Sequence, residues 1–241
     1  MDRRRTARTV GTLFLIATAA GVLSIALIGP PDAAQSLSDF AGHRTRIALG
    51  ALLVILMAAA IALIPAMIFP VLKEHNEALA LGYVVTRTVE VVLLLPAAIG
   101  PLLLVAANSE HSTAAAADQT QLRTLLTLLL SYEGAPAVSA VFFCLSVLIL
   151  NYLLYRSRLV HRLISAWALV AVAPYLIGGL LIMFGVLNTA SPLHTVLIVP
   201  LALNEMALAI WLLTKGFRQQ SSQQPTAPSL DPQRLQPARR G

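Results

Sequence analysis

Charge is scarce in this sequence. Asp, Glu, Lys and Arg make up 12% of its 241 residues, against roughly a quarter in soluble domains. A soluble fold needs a polar exterior, and a chain that is 57% apolar has too little polar surface to supply one. Cysteine is scarcer still. Cys144 stands alone inside an apolar block, so it can form no internal disulfide and has no second thiol with which to hold a metal cluster. Catalytic patterns are missing as well: there is no P-loop, no G-x-S-x-G and no dinucleotide fingerprint. His43, His75, His111, His161 and His194 are scattered through loops and span ends, with no metal spacing such as H-E-x-x-H. No cofactor or metal is expected, and an enzyme is disfavoured, although a membrane-embedded hydrolase or transferase can work without these motifs.

The apolar surplus is arranged in long blocks. A hydrocarbon core of about 30 Å needs roughly 20 apolar residues in a helix. Six blocks meet that length, at about 9–29, 47–72, 80–107, 136–155, 163–187 and 192–213. The expected fold is therefore an all-α membrane bundle of six transmembrane helices, occupying residues 1–217. The first block follows Arg3, Arg4 and Arg5 and is longer than the 7–15 residues of a signal-peptide core, so it reads as a retained helix. The third block carries Pro96 and Pro101 and is long enough to tilt or kink. Asn108 to Thr120 reads as a loop. After it, Leu122, Leu125, Leu126, Leu129 and Leu130 form a helical stripe, which suggests a short interfacial helix at about 121–131. A break at Glu133-Gly134-Ala135-Pro136 then starts the fourth span, with Pro136 in its first turn. Residues 218–241, rich in Gln, Ser and Pro, cannot bury enough surface to fold and read as a disordered cytoplasmic tail.

Orientation follows from the basic residues beside the spans. With the N-terminus inside, the cytoplasmic segments hold Arg3, Arg4, Arg5, Arg8, Lys73, Arg156, Arg158, Arg162, Lys215 and Arg218, besides the tail's Arg234, Arg239 and Arg240. The far side holds Arg44, Arg46 and Arg123. Both termini are thus expected inside, with Tyr152, Tyr155, Trp167 and Trp211 close to the same interface. The net charge of +6 then belongs to loops, not to a nucleic-acid-binding face. Its natural partners are anionic inner-leaflet headgroups at Arg156, Arg158, Arg162, Lys215 and Arg218.

Ionisable groups inside a span are costly and usually mark function. There are three: Arg87, Glu90 and Glu205. At 1.5 Å per residue, Arg87 lies about 10 Å, Glu90 about 15 Å and Glu205 about 12 Å from the cytoplasmic surface. Arg87 and Glu90 are i,i+3 neighbours on one helical face, and Asn204 and Asn151 could add hydrogen bonds nearby. One cation between two carboxylates leaves a net negative site unless a carboxyl holds a proton. The leading reading is a multi-pass membrane protein whose Arg–Glu charges are architectural, clasping the third span to the sixth. The alternatives are a small transporter or proton-coupled carrier using Glu90 and Glu205, and a membrane enzyme acting on lipid with Arg87 at a headgroup. Whether Arg87 pairs with Glu90 or with Glu205 is not legible at this level. Pro65, Pro96, Pro174 and Pro200 fall well within spans, where transporters break helices around midplane sites and ordinary bundles also tolerate proline.

Four stretches resemble a known family. They are Arg8-Thr9 leading through Gly11, Arg87-Thr88-Val89-Glu90, the loop from Tyr155-Arg156-Ser157-Arg158 to Ser165, and Asn204-Glu205 continuing to Trp211-Leu212-Leu213-Thr214-Lys215-Gly216-Phe217. Over about residues 5–217 the chain resembles the prokaryotic membrane family called domain of unknown function 4386. Members often carry proline at the place of His161 and glycine at that of Ala168. The resemblance implies an integral membrane protein of the prokaryotic cytoplasmic membrane, with Arg87, Glu90 and Glu205 part of the family's pattern. It implies no activity.

Overall fold

In lipid no water is present to satisfy backbone N–H and C=O groups, so a spanning segment must pair them internally. The computed structural model, which describes residues 2–28, 44–110, 134–189 and 191–218, is helical throughout its regular structure, with no strand among those residues. Its helices are α1 (Arg3–Ile28), α2 (Arg44–Leu72), α3 (Glu77–Leu94), α4 (Pro96–Glu110), α5 (Gly134–Ser157), α6 (Arg162–Met183) and α7 (Pro192–Thr214). Among the described residues six helices are long and apolar enough to cross a membrane, with α3 and the start of α4 acting as one span, Glu77–Leu103. Large apolar side chains face outward, Phe184 at 76%, Val170 at 73% and Leu163 at 72% exposure. Water would penalise those faces and hydrocarbon does not. The chain is a multi-pass membrane protein.

Several boundaries differ from the sequence expectation. α1 starts at Arg3 and not near Thr9, because its basic first turns are helical too. α4 continues through Asn108, Ser109 and Glu110, which the sequence reading assigned to a loop. α6 ends at Met183 and not at Leu187. The third span, where the prolines allow a kink, is interrupted at Leu95 between α3 and α4. Pro96 has no N–H to give to the Val92 carbonyl, and the Leu95 N–H takes it instead at 3.4 Å. Pro65, Pro70, Pro101, Pro174 and Pro200 stay within continuous helices. α5 begins at Gly134, which leaves Pro136 in its first turn as expected. The proposed interfacial helix at 121–131 and the tail beyond Arg218 lie outside the described residues.

The spans form a ring. Each packs on the spans before and after it, and α1 closes on α7. At the closure, Gly11 matters: a Cβ there would stand 2.8 Å from the Ala209 carbonyl oxygen and 2.9 Å from Leu213 Cγ, so only glycine allows α1 to approach this closely. The antiparallel order gathers Arg3, Lys73, Arg156, Arg162 and Lys215 at one end, the basic end. There Ala7, Val10, Leu72, Tyr83, Leu154, Leu159 and Leu212 belong to one continuous buried cluster. Gly216, at a φ of +70°, ends α7 in the left-handed turn glycine favours. The chain then turns back so that Phe217 is buried and the Arg218 N–H donates to the Leu159 carbonyl at 2.8 Å.

Candidate functional site

Three charges meet inside the ring. Arg87 and Glu90 lie on the inner face of α3, less than one helical turn apart. The Arg87 Nη1 group donates to both Glu90 carboxylate oxygens, at 3.0 and 3.1 Å. Its other terminal nitrogen faces Glu205 Oε1 at 3.5 Å. α3 and α7 are not neighbours in the ring, so this ion pair crosses the interior. The question left open by the sequence is thereby answered: Arg87 pairs with both carboxylates. It is a fork whose two ends engage different helices, a geometry that a guanidinium offers and an ammonium does not.

The aromatic surroundings were not legible in the sequence. The Arg87 guanidinium lies 5.1 Å from the Phe143 ring centre and 5.9 Å from that of Tyr83. Both distances suit a cation over a π face. Tyr83 precedes Arg87 by four residues and so shares its face, a signal that could have been used. Phe143 comes from α5 and could not have been found that way. The buried Tyr83 hydroxyl and Arg87 Nε have no hydrogen-bond partner of ordinary geometry.

The two carboxylates differ. The Glu90 side chain is 8% exposed, with both oxygens on Arg87, whereas that of Glu205 is 24% exposed and has a single long ion pair. The reason is a cavity of about 250 Å³ that borders all three charged groups. Its walls come from Phe14, Ala17, Thr18 and Gly21 of α1, Met57, Ile61 and Ile64 of α2, and Phe143. Val22 and Ile25 also line it while being 62% and 70% exposed, so it meets the bundle surface along the half of α1 away from the basic end.

Asn204 does not join this cluster. Its amide donates to the Ile164 carbonyl at 2.7 Å and ties α7 to α6. Successive helical residues point about 100° apart, so Asn204 and Glu205 face different neighbours. Asn151 likewise bonds within its own helix, to the Val147 carbonyl at 3.0 Å. His161 is more than a loop residue: its ring nitrogen accepts from the Leu163 N–H at 3.3 Å, capping α6, and its ring lies tilted against Trp211 at 5.9 Å between centres. Cys144 is buried. Among the described residues no group of three or more His, Cys, Asp or Glu could hold a metal ion.

The chain has a counterpart among known sequences. A family model described as Domain of unknown function (DUF4386) matches residues 9–216, and the chain belongs to that family. No curated protein and no solved structure matches it.

Proposed function

We propose that this member of the domain of unknown function 4386 family is a small membrane carrier whose internal charge cluster has two duties. Arg87 clasps α3 to α7 across the ring, and Glu205 presents a carboxylate to a solute site. One observation supports the reading above the others: the cavity wall contains Arg87, Glu90 and Glu205 together. Intramembrane charges that face a cavity usually mark a substrate or ion path. A purely architectural cluster is the second reading, favoured by the double engagement of Glu90 by Arg87. Lipid chemistry with Arg87 at a headgroup has less support, since both ends of that guanidinium are already paired. We read the basic end as cytoplasmic, in a prokaryotic cell membrane. Arg162 over Tyr155 and Arg218 over Trp211 are then held where anionic headgroups lie.

The reading requires water to reach the cavity. The lone cysteine makes this simple to test. In a Cys144→Ala background, a thiol placed by Thr18→Cys should react with a water-borne methanethiosulfonate reagent in sealed vesicles. One placed by Leu52→Cys, on a face 59% exposed outside the cavity lining, should not. An unreactive Thr18→Cys in folded protein would overturn the carrier reading and leave the clasp alone.

A further inference from the structure

Building on the carrier reading, we infer that the site takes a small amphipathic organic cation, an ammonium group on an apolar body, and that the ligand enters from the end of α1 opposite the basic end. Charge is the first argument. One guanidinium faces two carboxylates, so the ionised cluster carries one negative charge in excess. The excess is localised, because Glu90 has both oxygens on Arg87 Nη1 while Glu205 has one contact at 3.5 Å. Charge-assisted N–H···O bonds run at about 2.7–2.9 Å. Glu205 therefore keeps acceptor capacity, and it is the more accessible of the two.

The walls give the second argument. Apart from the three charged groups, the lining is apolar or nearly so, with Phe14, Ala17, Met57, Ile61, Ile64 and Phe143 among it. A dehydrated inorganic cation needs a cage of about six oxygen ligands, and one free carboxylate is a poor substitute. An organic cation needs one anionic contact and apolar surface, and both are present. Volume sets the size, since a dry cavity of about 150 Å³ holds one benzene ring. A cavity of about 250 Å³ therefore has space for a ring and a short chain.

Access follows from packing. Towards the basic end, Ala7, Val10, Leu208 and Leu212 are buried in one cluster, and Gly11 seals α1 against the Ala209 backbone. Away from it, Val22 and Ile25 both line the cavity and are exposed. That flank lies within two turns of the end of α1 at Ile28, where water and an amphipathic cation can both enter.

The test is binding of 4-phenylbutylammonium to the full chain in nanodiscs, compared with 4-phenylbutanol and 4-phenylbutyrate. The ammonium should bind at least tenfold more tightly than the alcohol, and the carboxylate more weakly than either. Glu205→Gln should abolish the preference for the ammonium over the alcohol. Ala17→Phe, which puts a ring into the cavity, should abolish binding of both while the protein stays folded. Equal binding of ammonium and alcohol to the native chain would overturn the inference, as would a preference that survives Glu205→Gln. The native-chain comparison remains decisive even where Glu205→Gln does not fold. Labelling of Thr18→Cys separates the two failures. If that thiol is reactive and the ammonium is not preferred, the ligand class falls and the carrier reading stands. If it is unreactive, both fall.

Discussion

The two halves of this bundle are packed on different terms. Near the basic end, leucines, isoleucines, Tyr83 and Phe14 interlock in one buried cluster drawn from α1, α2, α3, α5 and α7. Away from it, the buried cluster shared by α2 and α4 is Ala51, Val54 and Ala98, and the half of α1 beyond Phe14 borders a cavity. The charged cluster lies where the two regimes meet. Both halves are apolar, so the hydrophobic effect does not separate them. In lipid, where tails are as apolar as leucine, helices associate through close packing and polar contacts. The half that interdigitates holds the ring together; in the other, α5 and α6 stay close at Ala140 and Gly179 while α1 borders open space.

The largest expected effect falls on the boundary. Arg87→Ala strands the buried Glu90 carboxylate and frees that of Glu205, and should cost about 3–5 kcal/mol of stability in detergent, the usual penalty for breaking a buried ion pair. Adding Glu205→Gln should recover part of it, with a coupling above about 0.5 kcal/mol in a thermal or denaturant double-mutant cycle. Strictly additive effects would show that the interior bridge contributes nothing. Next comes the packed half. Leu154, 1% exposed, should lose about 2–5 kcal/mol on Leu154→Ala, while Leu52→Ala, at a position 59% exposed, should stay within about 0.5 kcal/mol. Similar losses at both sites would erase the contrast between interlocked and lipid-facing surfaces. The finest test uses glycine. Gly11→Ala forces a methyl against the Ala209 backbone and should destabilise by about 1–3 kcal/mol, as overpacking does. Gly100→Ala, in α4 with nothing within 4 Å of the added carbon, should stabilise by about 0.5–1 kcal/mol. Melting temperatures of the two variants would shift in opposite directions.

Much of this was legible beforehand because lipid makes the rules simple. Uninterrupted apolar length gave the six spans, and Pro96 marked the interruption at Leu95. Arg87, Glu90 and Glu205 stood out because charge is expensive in hydrocarbon, and their similar depth from the basic end predicted that they could meet. Helix ends were harder to read. Asn108 to Glu110 look like a loop by composition yet continue α4, since a formed helix extends cheaply through polar residues once it leaves the core. Asn204 was misdirected for a different reason. Depth can be read along a helix, but the side a residue faces depends on which neighbour the fold places there.

By itself, the sequence determined the solvent, the spans and the identity of the unusual charges, because each depends on local composition and a fixed rise per residue. The tertiary structure alone decided that α1 closes on α7 and that Arg87 bridges to a helix it does not adjoin. It also decided that Glu90 is consumed by that bridge while Glu205 borders a cavity. Those outcomes turn on how ridges and small residues such as Gly11 set distances between helices far apart in the chain, and no pattern within a single helix encodes them.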